Sequence, residues 1–222
     1  MRIFEKIVLA VLFCGSAFVV SASNKSPFKK DLLISVSGEF APRAEVKNTP
    51  SSNTQTYRWV VINVDVQTEK GDDKDGSFLD DVEMEIEAVL LNGKKNNVEQ
   101  AVLFSGKIEY YFVELDGKKH NFIALIPGQL FYRYANKGVK PAQAEMRIQV
   151  KFYQRGRLLK SGYYYTKGGS ANESEQRTWF AKFRNSKLYS VKEVPDSIFS
   201  RRETTWGMFD NDKYEFEKKQ NK

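Results

Sequence analysis

Ala142 to Lys167 reads AQAEMRIQVKFYQRGRLLKSGYYYTK, and this stretch decides the fold class. Ala144, Met146, Ile148, Val150 and Phe152 alternate with Glu145, Arg147, Gln149, Lys151 and Tyr153, the period of two of a strand buried on one face. Arg155-Gly156 offers a two-residue turn, after which Leu158, Leu159 and Tyr163 to Tyr165 supply the branched and aromatic bulk of a returning strand. The stretch predicts a long β-hairpin whose apolar face earlier segments must cover.

Those earlier segments read as further strands. Leu32, Ile34 and Val36 alternate with Leu33, Ser35 and Ser37. Tyr57 to Thr68 carries Val60, Ile62, Val64 and Val66 on one face and starts the other with Tyr57, Trp59 and Val61, which predicts a central strand. Val82, Met84, Ile86 and Ala88 alternate with Glu83, Glu85 and Glu87; the strict period of two outweighs the helix propensity of glutamate, and the outer face becomes an acidic stripe. Val98 to Phe104 and Lys107 to Leu115 read as short strands broken at Ser105-Gly106, and the Asp116-Gly117 turn leads into Asn121 to Ile126, stopped by Pro127-Gly128. Gln129 to Ala135 is compatible with a strand or one helical turn. About eight strands at intervals of roughly 8 to 12 residues, with no helix long enough to cover a parallel sheet, predict an all-β sandwich.

The two ends of the chain are different material. Arg2 and Lys6 precede an apolar run from Ile7 to Val20, and Val20-Ser21-Ala22 satisfies the cleavage rule of a secretory signal peptide. That run is too short for a spanning helix, which needs about 20 apolar residues. Residues 1–22 are therefore expected to be a signal peptide, 23–167 a β-sandwich domain, and 168–222 a linker, a short helix over Glu175 to Phe183 and an aromatic arm. The one cysteine of the 222 residues, Cys14, falls inside the signal, and a mature chain without cysteine forms neither a disulfide nor a thiolate metal site. The formal charge of +7 drops to +6 when Arg2, Lys6 and Glu5 are removed. A basic exported protein meets anionic glycans, lipid head groups and acidic proteins rather than nucleic acid.

Catalytic constellations are not found in the sequence. A single histidine, His120, beside a turn makes neither a zinc site nor a Cys-His dyad, and there is no nucleophile elbow or phosphate-binding glycine loop. Asp73, Asp75 and Gly76 imitate part of a calcium loop, but Gly71 and Val82 stand where its first and last ligands belong. Glu83, Glu85 and Glu87 read as a solvated face. The expectation is a protein without enzymatic activity, cofactor or metal.

Candidate binding residues lie on the hairpin and in the arm. A two-residue turn with regular pairing places Tyr153 opposite Leu158, Lys151 opposite Lys160 and Arg147 opposite Tyr164, a face of three cations among aromatic rings that suits an anion. In the arm, Ile198, Phe199, Trp206, Met208, Phe209, Tyr214 and Phe216 are too apolar to hang free and lack a steady period. They predict an irregular segment packed along the sandwich or onto a partner, with Trp206 as its anchor.

Arg201 to Glu215, RRETTWGMFDNDKYE, resembles the terminal motif of exported immunoglobulin-like proteins found beside type IV pilus components in mucin-colonising and related bacteria. Glu203, Thr204, Trp206, Phe209, Asp212, Tyr214 and Glu215 are the matching positions; Thr205 stands in place of a proline and Asn211 in place of an aromatic residue. The resemblance implies an immunoglobulin-like antiparallel sandwich in the periplasm or on the cell surface, with a role near pilus assembly. Two classes of function follow from residues and resemblance together. The first is a non-catalytic envelope protein that binds other proteins, pilus assembly components among them. The alternative is a carbohydrate-binding or carbohydrate-active envelope domain, for which an anionic glycan is the expected ligand.

Overall fold

The computed structural model describes residues 26–29, 31–40, 57–71, 77–168, 172–204 and 216–217. The expected signal peptide and the calcium-like residues Asp73, Asp75 and Gly76 lie outside them.

Two sheets pack face to face. The first has the order β1 (Leu33–Glu39), β2 (Trp59–Gln67), β5 (Lys119–Ile126), β9 (Phe199–Ser200). The second runs β10 (Phe216–Glu217), β4 (Val98–Glu114), β3 (Phe78–Lys95), β6 (Met146–Gln154), β7 (Arg157–Tyr165), and β8 (Tyr189–Val194) adds to β4 beside β10. All pairings are antiparallel except that of β8 with β4. This is the all-β antiparallel sandwich expected from the strand pattern, of the immunoglobulin-like kind that the C-terminal resemblance implies.

The period-two faces meet in one core. Val60, Ile62, Val64 and Val66 of β2 face Met84, Ile86 and Ala88 of β3 and Ile148, Val150 and Phe152 of β6 across the inter-sheet space, and all are essentially inaccessible to water. Phe28, Phe152, Phe122 and Tyr110 form a chain of edge-to-face rings at 4.9 to 5.4 Å between centroids, a geometry worth about 1 kcal/mol per pair beyond burial. Phe28 lies ahead of the first predicted strand. It is held there because Lys29 N–H donates to the Gln67 carbonyl and Glu69 N–H to the Pro27 carbonyl.

Several elements differ from the sequence reading. β3 and β4 form one long hairpin, turned over Asn96-Asn97 in left-handed conformation, and β4 is continuous through Ser105-Gly106 rather than broken there. Gln129 to Ala135 resolves as helix, α1 (Gly128–Tyr134), which follows Pro127 and buries Phe131 in the core. The Asp116-Gly117 turn is tied by side chains. Asp116 Oδ1 accepts from Lys118 N–H at 2.8 Å and lies 2.9 Å from His120 Nε2, which itself contacts Thr68 Oγ1 at 3.4 Å. His120 is thus a buried turn-pinning residue.

Partial burial alone would raise the Asp116 pKa, but the Lys118 N–H and the His120 ring outweigh it and hold the carboxyl at about 2. A carboxylate depressed in the folded state stabilises above its unfolded value and loses that contribution as the pH falls through the folded one. Stability should therefore fall between about pH 4 and pH 2 by up to about 2 kcal/mol, less solvent screening. Acid titration of Asp116→Asn beside the parent checks this: the parent should show the steeper fall, and parallel curves would refute the assignment.

Candidate functional site

The hairpin β6–β7 closes over Arg155 and Gly156, both at positive φ, and Tyr153 pairs with Leu158 as expected. Immediately beyond, the register shifts. Phe152 pairs with Lys160, Lys151 with Ser161, Ile148 with Tyr164 and Arg147 with Tyr165, so Leu159 is the extra residue of a β-bulge. The shift turns Lys160, Gly162 and Tyr164 to the core side and Ser161, Tyr163 and Tyr165 to the outside. The expected face of Arg147, Lys151 and Lys160 around Tyr164 therefore does not form. Lys160 reaches Asp31 at 3.3 Å from the opposite face, and Tyr164 packs against the core.

The reason lies across the sandwich. Gly162, facing inward opposite Val150, leaves the space that Leu32 fills; a Cβ at this position would come within 2.7 Å of the Leu32 side chain. Without the bulge Gly162 would face solvent and Leu32 would lose its slot. Outside, the shift presents Tyr163 and Tyr165 to a helix.

That helix, α2 (Glu173–Asn185), starts where the Asn172 side chain accepts from Ser174 N–H at 3.0 Å, with Glu173 and Glu175 in its first turn and Lys182 and Arg184 in its last, all favourable to the helix dipole. Gln176, Trp179, Phe180 and Phe183 share one face at helical spacing. They lie on Val89 and Ala101 with Leu91, Leu103, Tyr163 and Tyr189 around them, forming a third layer over part of the second sheet.

Arg147 ends up under this helix. Its guanidinium lies 4.1 Å from the Tyr165 ring centroid and 4.6 Å from that of Trp179, and it donates to Gln176 Oε1 at 2.6 Å. Arg147 is a structural clamp between two rings and is not offered to a ligand. Beside it Tyr165 Oη donates to Glu145 at 2.9 Å, and the Lys167 ammonium lies 2.8 Å from the same carboxylate. Those bonds, Lys167 first, lower the Glu145 pKa against the opposing effect of burial.

Beyond the helix, the acidic stripe and the cations prove to share one surface. Glu85 of β3 stands opposite Lys107 of β4 on one side and Lys151 of β6 on the other. Lys107 is ion-paired with Glu83 and lies 3.8 Å from Glu109, while Arg184 of α2 pairs with Glu87. Two features that read separately in the sequence, an acidic strand and a basic one, compensate each other by lying side by side. Lys151 faces a glutamate of its own sheet.

Two open pockets lie on the described surface. One, of about 600 Å³, has Asp31 and Asp65 among its lining with Lys29, Leu33, Gln67 and Lys119; Lys119 lies 2.6 Å from Asp65. The other, of about 550 Å³, is lined by Phe40, Tyr57, Arg58, Tyr132, Ala135, Lys137, Gly138 and Lys140. Among the described residues carboxylates line the first and rings the second, and neither brings the two together as a glycosidase cleft requires. No group of three or more His, Cys, Asp or Glu that could hold a metal occurs among the described residues.

The arm is partly seen. β8 lies along Glu99 to Phe104 of β4, Ser197 N–H donates to the Ser105 carbonyl at 2.9 Å, Ile198 is buried in the core, and β9 pairs with β5. A capping box of Ser200 and Glu203 closes the short turn that follows, and β10 returns to β4 opposite Tyr110 and Phe112. The chain thus crosses from one sheet to the other along a single edge of the sandwich. Ile198 packs into the core as expected, just ahead of β9, a two-residue strand starting at Phe199 that the aperiodic sequence did not announce. Trp206, Phe209 and Tyr214 lie outside the described residues. The ring-and-cation pocket was missed altogether because Phe40, Tyr57 and Lys137 come from three separate segments; the Lys137 to Lys140 turn beside Tyr132 was the one local hint.

No curated protein matches the sequence. Among solved structures, the crystal structure of a protein from Akkermansia muciniphila superposes with a TM-score of 0.63 at 14% identity, covering 89% of this chain and 100% of that one; the likeness establishes a common fold. One protein-family model matches residues 23–221, sandwich and C-terminal arm together, and the chain belongs to that family.

Proposed function

We propose that this chain is an exported cell-envelope protein without catalytic activity that works by binding other proteins, with components of a type IV pilus-like machinery as its partners. The observation that carries the reading is the way residues 189–204 and 216–217 are built into the sandwich. β8, β9 and β10 occupy the edges of β4 and β5, so this face of the molecule is organised around main-chain pairing rather than around a cleft. Family membership across the arm supports it, as does the resemblance of Arg201 to Glu215 to the terminal motif of pilus-associated proteins. Export is supported by the signal-like residues 1–22 and by a family match that begins at Ser23. Among the described residues no helix is long and apolar enough to cross a membrane.

Two measurements test the reading. Intact-mass analysis of envelope material should show a chain starting at Ser23; Met1 retained would overturn export with cleavage. Tagged protein lacking Gly207 to Lys222, or carrying Trp206→Ala, should recover partners from envelope extract at least about fivefold less well than the parent, as expected for loss of an aromatic anchor. Unchanged recovery and unchanged melting temperature together would remove the arm from both interface and core.

A further inference from the structure

We infer that the end of the sandwich between β1, β2 and α1 is a binding site for a negatively charged saccharide. The inference rests on the pocket of Phe40, Tyr57, Arg58, Tyr132, Lys137 and Lys140 and not on the arm, so it stands or falls independently of the protein-binding reading.

The walls of this pocket are fixed by close packing. Gly128, at the start of α1, abuts the Arg58 carbonyl oxygen and the Tyr57 side chain so tightly that a Cβ there would lie 2.7 and 2.9 Å from them. On the other side Pro141 packs on Gly38, within 3.0 to 3.2 Å of a Cβ position. Both flanks are thereby held against β1 and β2. A pocket of about 550 Å³ falls in the range that small-molecule sites occupy.

Its chemistry combines ring faces with positive charge that no carboxylate among the described residues pairs. Tyr57 and Tyr132 pair at 5.3 Å between centroids, and Phe40 and Tyr57 remain nearly half exposed, at 48% and 44%. The Arg58 guanidinium lies 4.4 Å over Phe40 and donates to the Gly38 carbonyl at 3.0 Å, which orients it without neutralising it. By contrast, Lys107, Lys119, Lys160 and Lys167 each lie against a carboxylate. Arg58, Lys137 and Lys140 form no ion pair among the described residues, and none of the residues named as lining the pocket is acidic.

A bare inorganic anion would use the cations and leave the rings in water. A sugar acid uses both: its C–H face stacks on the tyrosines, burying apolar area, while its carboxylate or sulfate meets Arg58 and the two lysines. Arginine, with a planar fork already aligned, suits either oxyanion. The carboxylated and the sulfated sugar share this chemistry, and the test separates them.

The purified chain, isotope-labelled for amide detection, is titrated with glucuronic acid, with N-acetylglucosamine 6-sulfate, with neutral N-acetylglucosamine and with a hexaglutamate peptide. The acidic sugars should move the amides of Arg58, Tyr132 and Gly138 in a saturable way, and whichever of the two binds more tightly identifies the anionic group. Neutral sugar should bind at least about tenfold more weakly, and added salt should weaken the acidic sugars. Lys137→Ala with Lys140→Ala, and separately Tyr57→Ala, should each weaken binding at least about tenfold while leaving the melting temperature within about 2 °C, since these side chains are largely outside the core. Neutral sugar binding as well as acidic, hexaglutamate binding as tightly as either sugar, or shifts located away from the pocket would overturn the assignment. So would acidic sugars that move no amide at the highest soluble concentration.

Discussion

Replacing Gly106 with alanine should cost about 2 to 3 kcal/mol and lower the melting temperature by about 5 to 10 °C. The cause is a backbone crossing. Where the chain passes from the edge of β4 toward β5, the Ile198 carbonyl oxygen lies over Gly106, 2.3 Å from where a Cβ would stand, with the Ile198 Cβ at 2.7 Å. Backbone cannot yield as a flexible side-chain tip can. To admit a methyl group the crossing must lift, which strains the bonds from Ser197 and Ile198 N–H to the Ser105 carbonyl and opens the pocket of Ile198, now 4% exposed. Gly93→Ala supplies the contrast: Gly93 has φ of +79° and nothing within 4 Å of a Cβ, so only conformational strain of about 1 kcal/mol is expected. Limited proteolysis between Asp196 and Thr204 should accelerate in Gly106→Ala and not in Gly93→Ala. Equal losses in the two variants would show that close packing at the crossing does not hold the arm.

Gly106 also marks the limit of what the sequence discloses. Ser105-Gly106 reads locally as a strand break, yet β4 runs straight through it, because the glycine serves a contact with a residue more than ninety positions away. The bulge at Leu159 is of the same kind. Local alternation placed both strands of the hairpin correctly, but the register beyond Tyr153 is set by the fit of Leu32 against Gly162, a pairing that no local period carries. Where burial on one face of an isolated strand decides the matter, as in β2, β3 and β6, the alternation was sufficient and the core was legible residue by residue. Helix α2 was legible too, since Trp179, Phe180 and Phe183 keep helical spacing. Its seat on the hairpin was not, so Arg147 was read as a free cation although the helix covers it.

The two-residue strands β9 and β10 carry too few positions for any periodicity to appear. Their place in the sheets comes from pairing partners: Ser200 opposite Ala124, Phe216 opposite Phe112. The binding pocket at the sandwich end was illegible for a further reason. Its rings and cations belong to segments that are adjacent only once Gly128 has docked α1 against the entry to β2. Charge told a similar story. The glutamates of β3 read as a solvated face and the hairpin cations as a separate, anion-seeking one, and strand order set Glu85 between Lys107 and Lys151.

Trp179→Ala should be the most damaging single change outside the sandwich core, at about 3 kcal/mol. The indole stacks on Phe183 at 4.8 Å and 15°, meets Phe180 and Tyr189 edge-on at 5.2 and 5.7 Å, and donates from Nε1 to Tyr189 Oη at 3.2 Å. Its other face receives Arg147 at 4.6 Å. Truncation removes the contact that joins α2, β8 and the hairpin, and it strips packing from Phe180, Phe183 and Tyr189. Urea unfolding should therefore show a lower midpoint together with partial loss of helical signal before the sheet melts. Arg147→Ala provides the sharper check. If the guanidinium is held between Tyr165 and Trp179, the double variant should lose about 1 kcal/mol less than the two single losses added together, the range expected for a partly desolvated cation–π contact. Strict additivity would mean that Arg147 acts through Gln176 and Tyr165 alone, and the clamp assigned to Trp179 would then be wrong.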